Sequence, residues 1–295
     1  MVTNEGTDVN TWIQATPSFG TTPVYGVTYG NGKFVAVGGS GKIAYSVDAN
    51  TWVQAETPSF ETDSVYGVTY GNGKFVAVGG NGLIAYSVDA NTWVQVKTPS
   101  FGTTIVFDIT YGNGKFVAVG EAGKIAYSSD ANIWVRAKTS FGTTYVWGVT
   151  YGNGKFVAVG GSGKIAYSSD ANTWVRVKTS FGTTPVYGVT YGNGKFVAVG
   201  GSGKIAYSSD ANTWVRVKTS FGTTPVYGVT YGNGKFVAVG NDGKIAYSSD
   251  SSDANAWVRA ETPIFGTSYV NGVTYGDGKF VAVGYGGKIA YSLFR

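Results

Sequence analysis

The chain has 295 residues, with no cysteine, no histidine, 46 glycines and a formal charge of +5. It therefore has no disulfide, no thiolate nucleophile, no imidazole general base and neither of the commonest transition-metal ligands. A hydrophobic content of 43% and an aromatic content of 15% are too high for a disordered chain.

Residues 1–12 contain no basic segment and no apolar run, so no leader is expected at this end. No apolar run approaches the roughly 18 residues of a membrane-crossing helix. The composition fits a secreted or surface protein, and the compartment is otherwise unspecified. Residues 8–14 read as a turn followed by a lone strand. From there the chain becomes repetitive. The phrase TYGNGKFVAVG recurs with its tyrosine at Tyr29, Tyr70, Tyr111, Tyr151, Tyr191 and Tyr231, and as TYGDGKFVAVG at Tyr275. Residues 151–190 and 191–230 are identical. A period of about 40 residues with short β-type segments is that of a propeller blade with four strands.

The fifth unit illustrates the parse. Residues 186–191 form strand A, and Asn193-Gly194 a type I′ hairpin turn, which needs positive φ at both centres. Residues 195–200 form strand B, 201–203 a turn, 204–208 strand C, 209–213 a third turn and 214–218 strand D. No segment has helical periodicity, so helix is expected to be close to nil. The last unit ends at Arg295 after strands A, B and C. The lone strand at the N-terminus supplies what is missing. The expectation is an all-β, seven-bladed β-propeller of four-stranded blades spanning residues 1–295. Residues 8–16 would complete blade seven and leave no open β-edge.

The turn between strands C and D reads YSVDANTW at residues 45–52, with counterparts in later blades. It resembles the Asp-box, or BNR, repeat, Ser-x-Asp-x-Gly-x-Thr-Trp, of sialidases and of propellers similar to photosystem II assembly factors. This version is one residue shorter and has Asn where Gly is usual. The resemblance implies structural roles: Asp48, Asp89, Asp130, Asp170 and Asp210 would accept backbone hydrogen bonds, and Trp52, Trp93, Trp134, Trp174 and Trp214 would pack between blades. In blade six an insertion brings Asp250, Asp253 and Asn255 together. A calcium site is the functional alternative there, but the spacing does not match a twelve-residue EF-hand loop, and no metal is expected.

Catalytic motifs are missing. The glycine-rich phrase lacks GxxxxGK[ST] and makes a hairpin rather than a helix N-terminus, so it is not a nucleotide loop. Sialidase-type chemistry would need clustered arginines, whereas Arg136, Arg176, Arg216 and Arg259 occupy one repeated position on strand D. Glu56, Glu61, Asp63, Asp108 and Glu121 are the non-repeat acids from which a glycosidase pair would have to come; scattered solvated acids are the favoured reading. The strand D cations read as solubilising charge and edge protection, with an anionic partner as the alternative and no specific nucleic-acid contact.

The units differ mainly in their B–C turns and D–A loops, on one face of the disc. Candidate ligand-binding residues there are Glu61, Asp63, Glu121, Asp242 and Tyr285. An aromatic residue also recurs early in strand A, at Tyr25, Tyr66, Phe107, Trp147, Tyr187 and Tyr227, with Asn271 in blade seven. These side chains either wedge between blades or rim the channel. The resulting functional expectation is a non-catalytic, cofactor-free multivalent binding module. A lectin-like carbohydrate binder is favoured, with a protein-binding scaffold, or a duplicated propeller with no selected ligand, as alternatives; a glycoside hydrolase is remote. The chain is expected to be a monomer.

Overall fold

The Asn-Gly turns set the blade. Asn193 and Gly194 have φ of 46° and 73°, and the same pair of left-handed residues recurs from Asn31-Gly32 to Asp277-Gly278. This is the twist a two-residue β-hairpin requires. The computed structural model describes residues 11–292 except 17, 57–59, 97–99, 251–252, 261 and 263, and the side chains of all of these but 249–250 and 253–255. Within them lie seven four-stranded antiparallel sheets. In blade five the strands are Val186–Gly192, Lys195–Gly200, Ile205–Ser208 and Val215–Val217.

Each strand B is buried on both sides, as Phe196, Val197, Ala198 and Val199 show. It reads as an unbroken apolar run because each blade is sandwiched between two others. The cores accordingly lie between blades. Val157, Val159 and Ile165 of blade four pack with Val186, Phe196, Ala198 and Trp214 of blade five. Close approach explains the glycine ending each strand A. A Cβ on Gly192 would lie 2.0 Å from the ring of Tyr231 in the next blade.

The ring closes through the N-terminal strand, Trp12–Gln14, which pairs antiparallel with the last strand, Ile289–Ser292. Val281, Val283 and Ile289 of blade seven then pack with Phe19, Val24, Phe34 and Trp52 of blade one. Residues 8–10 of the expected segment lie outside the described residues.

Three details differ from the sequence reading. Strand D is shorter than expected in blade five. Several B–C turns are single 3-10 turns containing a left-handed residue, such as Ser202 at φ 52°. In blade six the insertion extends the C–D hairpin, with strands Ile245–Asp250 and Asp253–Ala260 paired as far as Asp250 and Asp253. The side chains behind the calcium alternative lie outside the described residues.

Candidate binding face around the central channel

A β-bulge near the start of strand A positions the aromatic side chains. In blade five, Val186 pairs with Gly200 and Gly188 with Val199, so Tyr187 is the extra residue; the same shift occurs in all seven blades. A bulge locally re-aims a side chain. In six blades the next residue is glycine, where the neighbouring blade's backbone comes close, and in blade three it is Asp108. A Cβ on Gly26 would meet the Tyr66 carbonyl oxygen at 2.8 Å.

The bulged aromatics line the channel mouth in sequence. Ring centroids lie 5.1 Å apart for Tyr25–Tyr66, 5.9 Å for Tyr66–Phe107, 4.4 Å for Phe107–Trp147, 6.2 Å for Trp147–Tyr187 and 5.5 Å for Tyr187–Tyr227. At blade seven Asn271 breaks the series, and its Nδ2 donates to the Val24 carbonyl at 2.8 Å. Tyr269 and Tyr285 continue the rim above it, with Tyr269 centred 5.9 Å from Tyr227 and 6.4 Å from Tyr285. Tyr145 bridges Phe107 and Trp147. Tyr145, Tyr269 and Tyr285 are 43%, 47% and 54% exposed, so these rings of the rim are open to solvent. Burial, then the neighbouring phenol of Tyr66, pushes the Tyr25 hydroxyl pKa up; burial and Tyr269 do the same for Tyr227.

Beneath the rings is a channel cavity of about 200 Å³, lined by the bulged aromatics, Asn271, backbone of every strand A, and Asp108. Gly112 pairs with Lys115 across its two-residue loop, so by alternation the N–H of Ile109, paired with Ala118, points away from strand B. The shared register turns the equivalent N–H of each blade toward the axis. Asp108 meets two of them: one carboxylate oxygen accepts from Ile109 at 2.8 Å and the other from Val149 at 2.9 Å. Burial in the channel outweighs these bonds and pushes its pKa up to about 7.

The remaining acids do not join it. Asp63 accepts from Asn81 Nδ2 at 2.9 Å, tying a D–A loop to a B–C turn. Glu121 accepts the Ile105 N–H at 3.0 Å. Asp242 lines a peripheral groove in blade six, and Glu61 is an exposed loop residue with φ of 52°. Among the described residues Asp108 is the one carboxylate lining the channel, so no pair of acids is assembled there. Among the described residues no three metal-ligating side chains cluster.

The opposite face holds the aspartate turns. Asp170 accepts from the N–H groups of Asn172 and Thr173, both at 2.8 Å, and from Ser168 Oγ at 2.9 Å. These bonds, led by that of Thr173, lower its pKa. Trp174 Nε1 donates to the Ala171 carbonyl at 3.1 Å, and its ring packs in the core between blades three and four. Asp48, Asp89, Asp130 and Asp210 accept in the same way. Lysines of the A–B turns reach into the next blade's aspartate turn: Lys115 Nζ donates to the Asp170 carbonyl at 2.7 Å.

Sequence reasoning passed over Tyr269 in the rim and the buried loop phenylalanines such as Phe181 and Phe221. Tyr269 was detectable as an aromatic where three other blades have proline, at Pro23, Pro185 and Pro225.

No protein-family model and no curated protein matches the chain, so the likeness to Asp-box repeats rests on the turn alone. Solved structures do resemble it. A catalytically inactive histidine-to-alanine variant of virginiamycin B lyase from Staphylococcus aureus, with quinupristin, superposes with a TM-score of 0.86 at 15% identity, covering 96% of this chain and 99% of that one. YCF48 bound to D1 peptide gives 0.77 at 14% identity, covering 97% and 95%. The WD40 propeller domain of Doa1 gives 0.77 at 12% identity, covering 99% and 98%. At such identities the likeness establishes the fold alone: the chain is similar to β-propellers.

Proposed function

We propose that this protein is a non-catalytic binding module that takes one extended segment of a partner protein at the aromatic mouth of its channel. The observation that carries this is the near-continuous aromatic rim above a single half-buried carboxylate. Tyrosine and tryptophan supply large contact areas at low entropic cost. A cavity of about 200 Å³ is smaller than the ~300–1,000 Å³ of typical small-molecule sites. It suits one inserted side chain. Aromatic faces over Asp108 favour a Lys or Arg side chain, through cation–π attraction and charge pairing. The likeness to a propeller bound to a peptide agrees with this reading. The lyase does not argue against it: its inactive variant lacks a histidine, and this chain has none.

Because the rings converge on the axis, they make one shared site rather than seven. The lectin-like, multivalent reading must therefore use the periphery. There, grooves of about 440, 500 and 320 Å³ recur beside strand D in blades four, five and six. Titration calorimetry against hits from an arrayed peptide library separates the two. The axial reading expects one peptide per chain and at least a tenfold loss for Trp147→Ala. Unchanged affinity in that variant, or several equivalents of a glycan with no peptide bound, overturns it.

A further inference from the structure

The strand D cations are not spread evenly around the ring. Arg136, Arg176, Arg216 and Arg259 lie opposite Ala126, Ala166, Ala206 and Ala246 in blades three to six. At the same register, opposite Ala290, Ala44 and Ala85, blades seven, one and two carry Gln14, Gln54 and Gln95. All seven side chains are exposed. Lys138, Lys178 and Lys218, two residues further on and also exposed, reinforce the basic arc in blades three to five. At this position the sequence has Glu261 in blade six, Glu56 in blade one and Lys97 in blade two, so the arc is carried by the arginines. If edge protection were the reason for the arginines, all seven outer strands would need them. Three adjacent blades do without.

Nor, among the described residues, does any of these arginines or lysines form an ion pair. Among the described residues the one ion pair is Lys279 with Asp277, in an A–B turn of blade seven. In blades four and five the cations line grooves. Arg176, Val177, Lys178 and Thr179 face Ser162-Gly163 and Gly182, and Arg216, Val217, Lys218 and Thr219 face Gly203 and Gly222. In blade six Arg259 and Thr262 line the counterpart. Thr179 Oγ1 holds each wall in place by donating to the Gly163 carbonyl at 2.8 Å, and Thr139, Thr219 and Thr262 make the same bond.

We infer that blades three to six form a rim site for an acidic polysaccharide, a sugar polymer bearing a regular series of carboxylate or sulfate groups. The inference rests on the peripheral-groove reading of carbohydrate binding and not on the axial site. Arginine and lysine pair with such anions, arginine in bidentate fashion. Groove volumes of a few hundred Å³ match one or two sugar units. One basic station per blade, repeated by the fold, engages a polymer through weak linked contacts. Single-stranded nucleic acid is a poorer fit, because these grooves contain no aromatic ring on which a base would stack.

The test uses the full-length protein with heparin and alginate as sulfated and carboxylated probes, and dextran, duplex DNA and anionic phosphatidylserine vesicles as comparators. The variant is R136Q/R176Q/R216Q/R259Q, which installs the residue that three blades already carry at this register, so an unchanged melting temperature is expected. Heparin or alginate should bind at low salt, weaken about tenfold or more between 50 and 200 mM salt, and bind at least tenfold less tightly to the variant. Trp147→Ala should leave this binding unchanged. Several results would overturn the site: no binding of either probe, equal binding by the variant, or tighter binding of DNA or vesicles. If dextran binds as well as heparin, independently of salt, the grooves take sugar but the basic arc plays no part, and the proposal falls while carbohydrate binding stands.

Discussion

The two faces of the disc are built from the same blades and do different work. On the face of the A–B and C–D turns, Asn-Gly hairpins repeat with little change and so, in blades one to five, do the aspartate turns, whose carboxylates accept the N–H groups of their own turn. Asp170 alone accepts three hydrogen bonds, while its carbonyl receives a fourth from Lys115 of the preceding blade. On the face of the B–C turns and D–A loops the blades diverge, and exposed rings such as Tyr145, Tyr269 and Tyr285 stand over a channel with one carboxylate. The contrast teaches where variation is tolerated. A turn whose side chain closes its own backbone bonds cannot change without losing them, whereas a rim side chain facing solvent is free to differ from blade to blade.

The seam gives the severest test, since blade seven is the one blade built from both chain ends. Deleting residues 1–14 removes Trp12 and its strand, exposing the edge of Ile289–Ser292. Loss of the buried Trp12 by itself should cost ~3–5 kcal/mol. A fall in melting temperature of about 10 °C or more is expected by calorimetry, and an unchanged value would refute closure by this strand. A smaller effect separates the faces. Asp170→Ala should lower stability by ~1 kcal/mol through the lost charge-assisted bonds and leave peptide affinity unchanged, whereas Trp147→Ala should do the reverse. Equal effects of both variants on both measurements would erase the distinction.

The smallest expected effect concerns pH. Asp108 has its pKa raised from 3.8 to about 7. Between those values the folded protein keeps a proton that the unfolded chain has released. Stability contributed by this group therefore falls as pH rises from about 4 to 7 and levels off above that. Asp108→Asn should flatten this slope in melting temperature measured from pH 4.5 to 8. A cationic ligand should also bind the native protein more tightly at pH 8 than at pH 6, a difference lost in the variant. Parallel pH profiles for the two proteins would show that Asp108 does not titrate in this range.

The rim arginines show how much of a site was legible. Their repeated position on strand D was plain from the sequence; that glutamine stands at the same register in the other three blades followed from the strand pairing. Taken blade by blade they read as edge protection. The stacking of consecutive blades sets the four arginines side by side on one arc, and the closed ring gathers the three glutamine blades on the remainder. Asp108 is a similar case. In sequence it is one more non-repeat acid, but the register of strand A turns it toward two inward-pointing N–H groups in a narrow channel. The loop phenylalanines went unnoticed because they sit in Ser-, Gly- and Thr-rich connections that ordinarily lie on a surface. Phe181 is buried since the inter-blade wedge extends under its loop.

Period, strand content, blade number and the seam were determined by the sequence itself. They depend on local rules: alternating and apolar runs choose strands, Asn-Gly chooses hairpin turns, and a repeat of about 40 residues with a missing strand at one end and a spare one at the other has a single closed solution. The tertiary structure decided what converges. Which aromatics meet at the axis, which carboxylate is drawn into the channel, and which cations stand side by side all depend on setting residues of different blades next to one another, because burial and proximity are properties of the assembled ring and not of any one unit.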